Sequence, residues 1–318
     1  MALNPVQVDR ATGALLGLAV GDALGAGYEF QSDPPADAEM IGGGPFGFAP
    51  GEWTDDTQMA ICVAEVAATG NLDTAQVAAR FLAWYRSGPA DVGNQTRAVL
   101  SRAGGPSALV EVASDYFARH PRNSAGNGSL MRTAPVALAH LGDDEAIAAS
   151  AQEVSALTHG DPLAGEACLL WCIALDRAVR EARLDGVRDG LVLLPQARRQ
   201  QWATWLEEAE RLPPRSFVPN GFVVTALQAA YAAITQSAVP AGTGASTHLV
   251  VGIRTAVGIG DDTDTVAAIA GSLLGGRWGA SAVPSEWTDL LQGWPGYRTS
   301  DLVRLAVSAA RRGRQTAT

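Results

Sequence analysis

Two short acidic motifs lie far apart in this chain, Trp53-Thr54-Asp55-Asp56-Thr57 and Gly260-Asp261-Asp262-Thr263-Asp264-Thr265. Each interleaves hydroxyl and carboxylate oxygens and runs directly into an apolar, helix-like stretch. Hard divalent cations such as Mg²⁺ and Mn²⁺ take these oxygens, together with water. The same residue types also cap helices, because their oxygens accept from free backbone N–H groups, and Thr54 is a good N-cap. Three carboxylates from Asp261 to Asp264 exceed what a cap requires, and helix N-terminal charge relieves only part of their repulsion. Two such clusters in one chain point to a shared cation site. At a helix start Asp55 and Asp56 point in different directions, so each can serve its own ion, with Thr54 and Thr265 adding neutral oxygens. Two divalent cations roughly 4 Å apart form the clamp used in hydrolysis, polarising substrate oxygens and supplying hydroxide near neutral pH.

Other residues are weaker signals taken singly. Gly126-Asn127-Gly128-Ser129 opens towards a helix with Arg132 one turn on. Backbone N–H groups at such a place form an anion nest, although the spacing matches neither a Walker loop nor a dinucleotide fingerprint. His159 sits between helices in Thr158-His159-Gly160-Asp161, a position that a structural hydrogen-bonder also occupies. His120, His140 and His248 show no ligand spacing with it, which argues against zinc. Glu29 follows the glycine-rich Gly25-Ala26-Gly27-Tyr28, and Asp91-Val92-Gly93-Asn94 precedes a helix, where a plain cap is the simpler reading of the segment taken alone.

The elements expected to position these groups are helices. The first covers about 7–24, with glycines at 13, 17, 21 and 25 clearing one face for close backbone packing. A Pro/Gly-rich loop over 32–51 follows. Further helices are expected over 54–68 and 74–87, from near Val92, and over 130–141, 143–157, 162–183, 197–211, 220–236, 247–258 and 265–275. Val192 to Leu194 could be a stray strand, but the Arg-rich sequence after it points to a surface excursion, over 184–220. Pro213-Pro214 and Val239 to Ser246 read as loops. Neither a run of alternating strands nor a fixed-period repeat is present. The reading is an all-α, many-helix single domain over 1–318.

Composition agrees. The chain of 318 residues is 47% apolar and 18% charged, enough for a sizeable core, and alanine abundance favours helix. A formal net charge of -10 argues against a general nucleic-acid binder. Cys62, Cys168 and Cys172 are an odd, sparse set, and Cys168 and Cys172 read as small buried thiols on one helical face. No apolar stretch is long enough to span a bilayer and no secretory leader is evident, so a reducing cytoplasm and no membrane are expected.

In this order the motifs resemble the ADP-ribosylglycohydrolase family, the group of dinitrogenase reductase-activating glycohydrolase. The matching blocks are Gly17 to Gly25 with Glu29, Trp53 to Met59, Asp91 to Asn94, Gly126 to Arg132 with Pro135, Thr158-His159, Gly221 to Ala230 and Gly260 to Thr265. They cover about 12–275. The resemblance implies an all-α domain with a binuclear Mg²⁺ or Mn²⁺ centre at the floor of a cleft. By position it makes Thr54, Asp55, Asp56, Asp262, Asp264 and Thr265 the metal ligands. It sets Glu29 over the metals, Asp91 and Asn94 beside the distal ribose, and Gly126, Asn127, Gly128, Ser129 and His159 in the ADP-ribose pocket. Glu29 or Asp91 would be the general base or would stabilise the developing oxocarbenium charge.

The implied activity is hydrolysis of ADP-ribose from a modified side chain of a protein, or from an ADP-ribose-containing small molecule. The Glu29 and Asp91-to-Asn94 blocks resemble the arginine-directed branch. ADP-ribosylserine, poly(ADP-ribose) and O-acetyl-ADP-ribose are the enzymatic alternatives, and a non-catalytic ADP-ribose reader is the alternative outside enzymes. Two departures stand out: Ile259-Gly260-Asp261 where the family more often has consecutive glycines, and an irregular Gly242 to Ser246 loop before His248.

Overall fold

Helix α1 (Pro5–Gly25) starts where Asn4 and Gln7 form a reciprocal capping box, with Pro5 in the first turn. Every residue from Ala11 to Gly25 is buried, so this helix runs through the interior, apolar or small on all sides. The computed structural model describes residues 3–237 and 244–312. Around α1 stand α2 (Asp55–Ala67), α3 (Thr74–Arg86), α4 (Asn94–Leu100), α5 (Leu109–Arg119), α6 (Ala134–Ala139), α7 (Asp144–Ala156) and α8 (Pro162–Glu181). They are followed by α9 (Gln196–Arg211), α10 (Val223–Thr235), α11 (Ala245–Val257), α12 (Thr263–Trp278), α13 (Ser285–Thr288) and α14 (Thr299–Arg312). The sheet among the described residues is a small antiparallel ribbon pairing Gln292 with Arg298 and Gly293 with Tyr297. One hydrophobic cluster extends from Ala11 to Ala310. No helix among the described residues is long and apolar enough to cross a membrane.

The glycine period of α1 makes the contact the sequence implies. Its partner is α12, itself buried from Thr263 to Gly276. A Cβ on Gly17 would overlap the Gly271 carbonyl, one on Gly21 the Ala267 carbonyl, and one on Gly25 would sit 2.5 Å from the Asp264 Cα. The two backbones touch along their length, which sets Asp22 of α1 beside the first turn of α12.

Three expectations are corrected. Val192 and its neighbours form a 3₁₀ helix over Asp185–Leu193, not a strand. Asp189 anchors it, accepting from Arg177 at 3.0 Å and Arg183 at 2.9 Å. Nor is 184–220 a loose excursion, because Val187, Trp202, Leu206 and Ala209 are buried against the core and Trp202 donates to Glu166 at 2.7 Å. The helix expected over 130–141 is shortened to α6, preceded by a 3₁₀ turn at Asn127–Ser129. Helices α5, α13 and α14 and the ribbon lie outside the expected elements. Much of the irregular 239–246 loop, including Gly242, lies outside the described residues, while α11 begins at Ala245.

Candidate functional site

Helix α2 is capped from a distance. Thr54 holds the N-cap position, yet its side chain makes no capping bond. The fully buried Asp22 does that work from α1, accepting from the N–H of Thr54 at 3.0 Å, the N–H of Thr57 at 2.9 Å and the Thr57 hydroxyl at 2.6 Å. Capping therefore does not occupy Thr54, Asp55 or Asp56. Asp22 was not among the expected site residues. Its signal in the sequence was one carboxylate within the apolar, glycine-spaced stretch from Ala11 to Gly25.

The α12 side is built the same way. Asp262 is at the N-cap with no side-chain capping bond. Before it, Gly260 at φ +90° and Asp261 at φ +65° both take left-handed backbone. Asp tolerates this conformation better than most residues with a side chain, and here Asp261 also accepts from the Asn220 N–H at 2.9 Å. Asn220 in turn donates to the Gly260 carbonyl at 3.1 Å and accepts from the Asp262 N–H at 2.9 Å. The non-glycine at 261 is thus accommodated by Asn220. Backbone bonds from Phe30 N–H to the Asp261 carbonyl, 2.7 Å, and from Asp261 N–H to the Gln31 carbonyl, 3.0 Å, tie the Glu29 segment to this loop.

These elements enclose a cavity of about 380 Å³. Its walls bring together Glu29, Asp55, Asp56, Asp91, Asp262, Asp264 and Thr265, with Asn94, Gly126, Asn127, Gly128 and His159 beside them. Thr54 and Ser129 are not wall residues. Thr54 lies behind Asp56, its hydroxyl 3.4 Å from Asp56 Oδ2. The Ser129 hydroxyl faces the core, accepting from Ser155 at 2.9 Å and Cys168 at 3.5 Å. The glycine loop is also less of an anion nest than its sequence implies. Asn127 N–H donates to the Gly221 carbonyl, and Leu130 and Met131 N–H groups to the Asn127 carbonyl. Sequence reasoning missed Gln95, Tyr116, Phe30 and Phe46, which are also among the walls. Phe30 and Phe46 had a faint signal as aromatics beside Glu29 and in the glycine-rich loop.

No arginine lies among the walls, and the carboxylates raise one another's pKa. Burial first, then repulsion from Asp91, Asp262, Asp55 and Asp22, pushes Glu29 from 4.5 up to about 9. Burial, then Asp262 and Asp22, pushes Asp91 from 3.8 up to about 6. Asp55, Asp56 and Asp264 are driven well above the carboxylate range, chiefly by burial. Asp56 Oδ1 is buried with no hydrogen-bond partner, and such an oxygen is costly unless a cation or donor meets it. Oxygens of Glu29, Asp91 and Asp264 lie within 4.8 Å of one another and could hold a metal ion. An all-oxygen, mutually repelling donor set of this kind fits a hard divalent cation.

The sign of the pH effect follows. For Glu29 and Asp91 the folded pKa exceeds the ordinary value, so the folded chain binds protons more tightly and their stabilising contribution is complete below about pH 4. It is lost as pH rises through about 6 for Asp91 and about 9 for Glu29. In chelator, these groups are expected to make unfolding easier at pH 8.5 than at pH 6. Excess Mg²⁺ or Mn²⁺ should flatten that slope, as denaturant titrations at the two pH values will read.

Comparison with known proteins places this geometry in context. The model of the family described as ADP-ribosylglycohydrolase matches residues 3–317. ADP-ribosylarginine hydrolase Tri1 of Pseudomonas putida (strain GB-1) is 34% identical over 303 residues, covering 90% of this chain and 76% of that protein. ADP-ribosyl-[dinitrogen reductase] glycohydrolase of Rhodospirillum rubrum is 33% identical, covering 91% and 92%. A solved structure described as an ADP-ribosylglycohydrolase-related protein complex superposes with a TM-score of 0.76 at 32% identity, covering 98% of this chain and all of that one.

Proposed function

This chain belongs to the ADP-ribosylglycohydrolase family, hydrolases of ADP-ribose glycosidic bonds, and we propose that it releases ADP-ribose from modified arginine side chains of proteins. The observation that carries the reading is the convergence of six carboxylates from four separate chain segments on one cavity. The names of the Pseudomonas and Rhodospirillum relatives support an ADP-ribosylated protein as substrate, and the former supports arginine as the modified residue. The whole chain is read as one catalytic unit.

Asp55, Asp56, Asp262, Asp264, Thr265 and, from behind, Thr54 would hold two cations, Mg²⁺ or Mn²⁺, with Glu29 adjoining them. When bound, such ions polarise sugar hydroxyls and lower the pKa of water. Asn94, Gly126, Asn127, Gly128 and His159 line the rest of the cavity, where the ADP-ribose portion would lie; Ser129 supports that wall from the core side.

Proton handling falls to Glu29 and Asp91, whose environments separate their pKa values. Asp91, at about 6, is largely ionised at neutrality and takes a proton from water as a C–O bond forms at the anomeric carbon. Glu29, which burial and the neighbouring carboxylates incline to hold a proton, would deliver one to the departing guanidine nitrogen as the C–N bond breaks. Transfer from Asp91 to Glu29 then restores both groups.

Release of free ADP-ribose from matched ADP-ribosyl-arginine and ADP-ribosyl-serine peptides, with Mg²⁺, with Mn²⁺ and with chelator, tests the reading. Cation-dependent release from the arginine peptide alone is expected. Release from the serine peptide alone would keep the chemistry and overturn the acceptor; no release from either would overturn the activity. In the same assay Asp91→Asn should lower kcat by about 100-fold or more with a smaller change in KM, the usual cost of losing a general base.

A further inference from the structure

Arg132 has the sequence position of an anion-binding residue, one turn beyond the glycine loop, but it never reaches the cavity. Its side chain is fully buried, with the guanidinium 4.3 Å from the centre of the Phe81 ring and paired with no carboxylate among the described residues. Its shortest bond runs from Nη2 to the Thr158 hydroxyl, 2.7 Å. That hydroxyl is 2.8 Å from His159 Nδ1. The other ring nitrogen, Nε2, lies against the glycine wall, 3.3 Å from where a Cβ on Gly128 would stand and 3.4 Å from one on Gly126.

Proton counting fixes the tautomer. A guanidinium only donates, so the Thr158 oxygen accepts from Arg132. Were His159 also to donate from Nδ1, the Thr158 hydroxyl hydrogen would point at no acceptor among the described residues, in a fully buried setting. Leaving a buried donor unmade is costly. The satisfied arrangement runs Arg132 to Thr158 to Nδ1, leaving the proton on Nε2. A doubly protonated ring is opposed by burial and by the nearby Arg132 charge, which hold the His159 pKa well below 6.5.

Gln95 completes the wall. Its Nε2 donates to the Thr158 carbonyl at 3.2 Å, which fixes the amide orientation. Its Oε1 is buried without a partner and lies 3.5 Å from the Gly126 Cβ position. A donor and an acceptor therefore converge where Gly126 and Gly128 leave room.

We propose that Arg132 and Thr158 are positioning residues that lock His159 as an Nε2–H donor towards an oxygen of the ADP-ribose portion, with Gln95 Oε1 as the acceptor beside it. The ligand identity rests on the function proposed above; the tautomer does not. Imidazole ¹⁵N–¹H spectra of the full-length protein read it directly. His159 is expected with Nε2 protonated and Nδ1 bare, and a protonated Nδ1 would overturn the relay.

Binding of ADP-ribose to the Mg²⁺-loaded protein, followed by calorimetry, supplies the second readout. Thr158→Val is expected to raise Kd about tenfold and to mix the two tautomers, while Thr158→Ser stays within about twofold of wild type with a single Nε2–H form, in line with the loss or retention of one oriented hydrogen bond. Wild-type affinity and an unchanged imidazole spectrum in Thr158→Val would sink the proposal. Because the spectrum needs no ligand, its failure is distinct from failure of the ADP-ribose reading, which shows as no binding to the wild-type protein.

Discussion

Asp264→Asn is expected to abolish ADP-ribose release while making the metal-free protein more stable. Asp264 is buried on the first turn of α12, and burial together with Glu29, Asp56, Asp262 and Asp22 drives its pKa far up. Without a cation the folded chain either keeps a proton there or tolerates a buried, repelled charge, and each carries a cost. The amide removes that cost and retains an oxygen for the Thr265 N–H, which Asp264 Oδ1 now accepts at 2.9 Å. A gain of about 1 kcal/mol in chelator is expected, the size usual when a strained functional group is relieved. Catalysis should suffer by about 10³-fold or more, since losing a charged ligand removes several kcal/mol of transition-state stabilisation. Thermal unfolding in chelator and in Mg²⁺, run beside single-turnover release, checks both halves. A variant that is active, or one destabilised in chelator, would remove Asp264 from the role proposed for it.

Two glycine substitutions in α1 separate packing from chemistry. A Cβ at Gly13 would sit 2.6 Å from the Gly279 carbonyl carbon and overlap the Gly275 carbonyl, at the end of the seam away from the cavity. A Cβ at Gly25 would sit 2.5 Å from the Asp264 Cα and nitrogen, at the cavity end. Both press on backbone, which cannot rotate aside, so Gly13→Ala and Gly25→Ala should each cost about 3 kcal/mol, the upper part of the range for overpacking. Their kinetics should part. Gly13→Ala is expected to keep kcat within a few-fold where it remains folded. Gly25→Ala should lose about 100-fold, because a shift of about 1 Å in a positioned group has that order of effect. Denaturant midpoints with kcat at a permissive temperature read the two apart, and equal kinetic losses would show that the seam transmits strain along its whole length.

The four-residue glycine spacing of α1 was legible because close backbone approach admits few other residues, and the acidic motifs were legible because so many carboxylates have no use as caps. The Asp22 cap was not. A carboxylate that caps a helix beginning at residue 55 leaves no local pattern, since the bond depends on how α1 passes α2. The direction of Ser129 was hidden for a related reason: it closes a 3₁₀ turn at Asn127–Ser129, and its hydroxyl bonds Ser155 on the core side instead of facing the cavity. Val192 looked strand-like as a β-branched residue among leucines, but tertiary ion pairs on Asp189 decided the outcome, which propensity cannot anticipate. Helix α14 carries a regular apolar face, with Leu302, Leu305, Ala306 and Ala309 buried, a periodicity that was present in the sequence but not among the expected elements.

The pairing of α1 with α12 has a consequence in time. The ribosome releases Asp22, Asp55, Asp56 and Asp91 long before Asp262 and Asp264, and until α12 is made the glycine face of α1 has nothing to lie against. A nascent chain therefore holds only part of the acidic cluster, in a site still open to water, where like charges repel weakly. The full repulsion arises when α12 docks, and the same event brings in the backbone contacts that offset it. Synthesis order thus defers the least favourable part of this fold until most of the chain has been made.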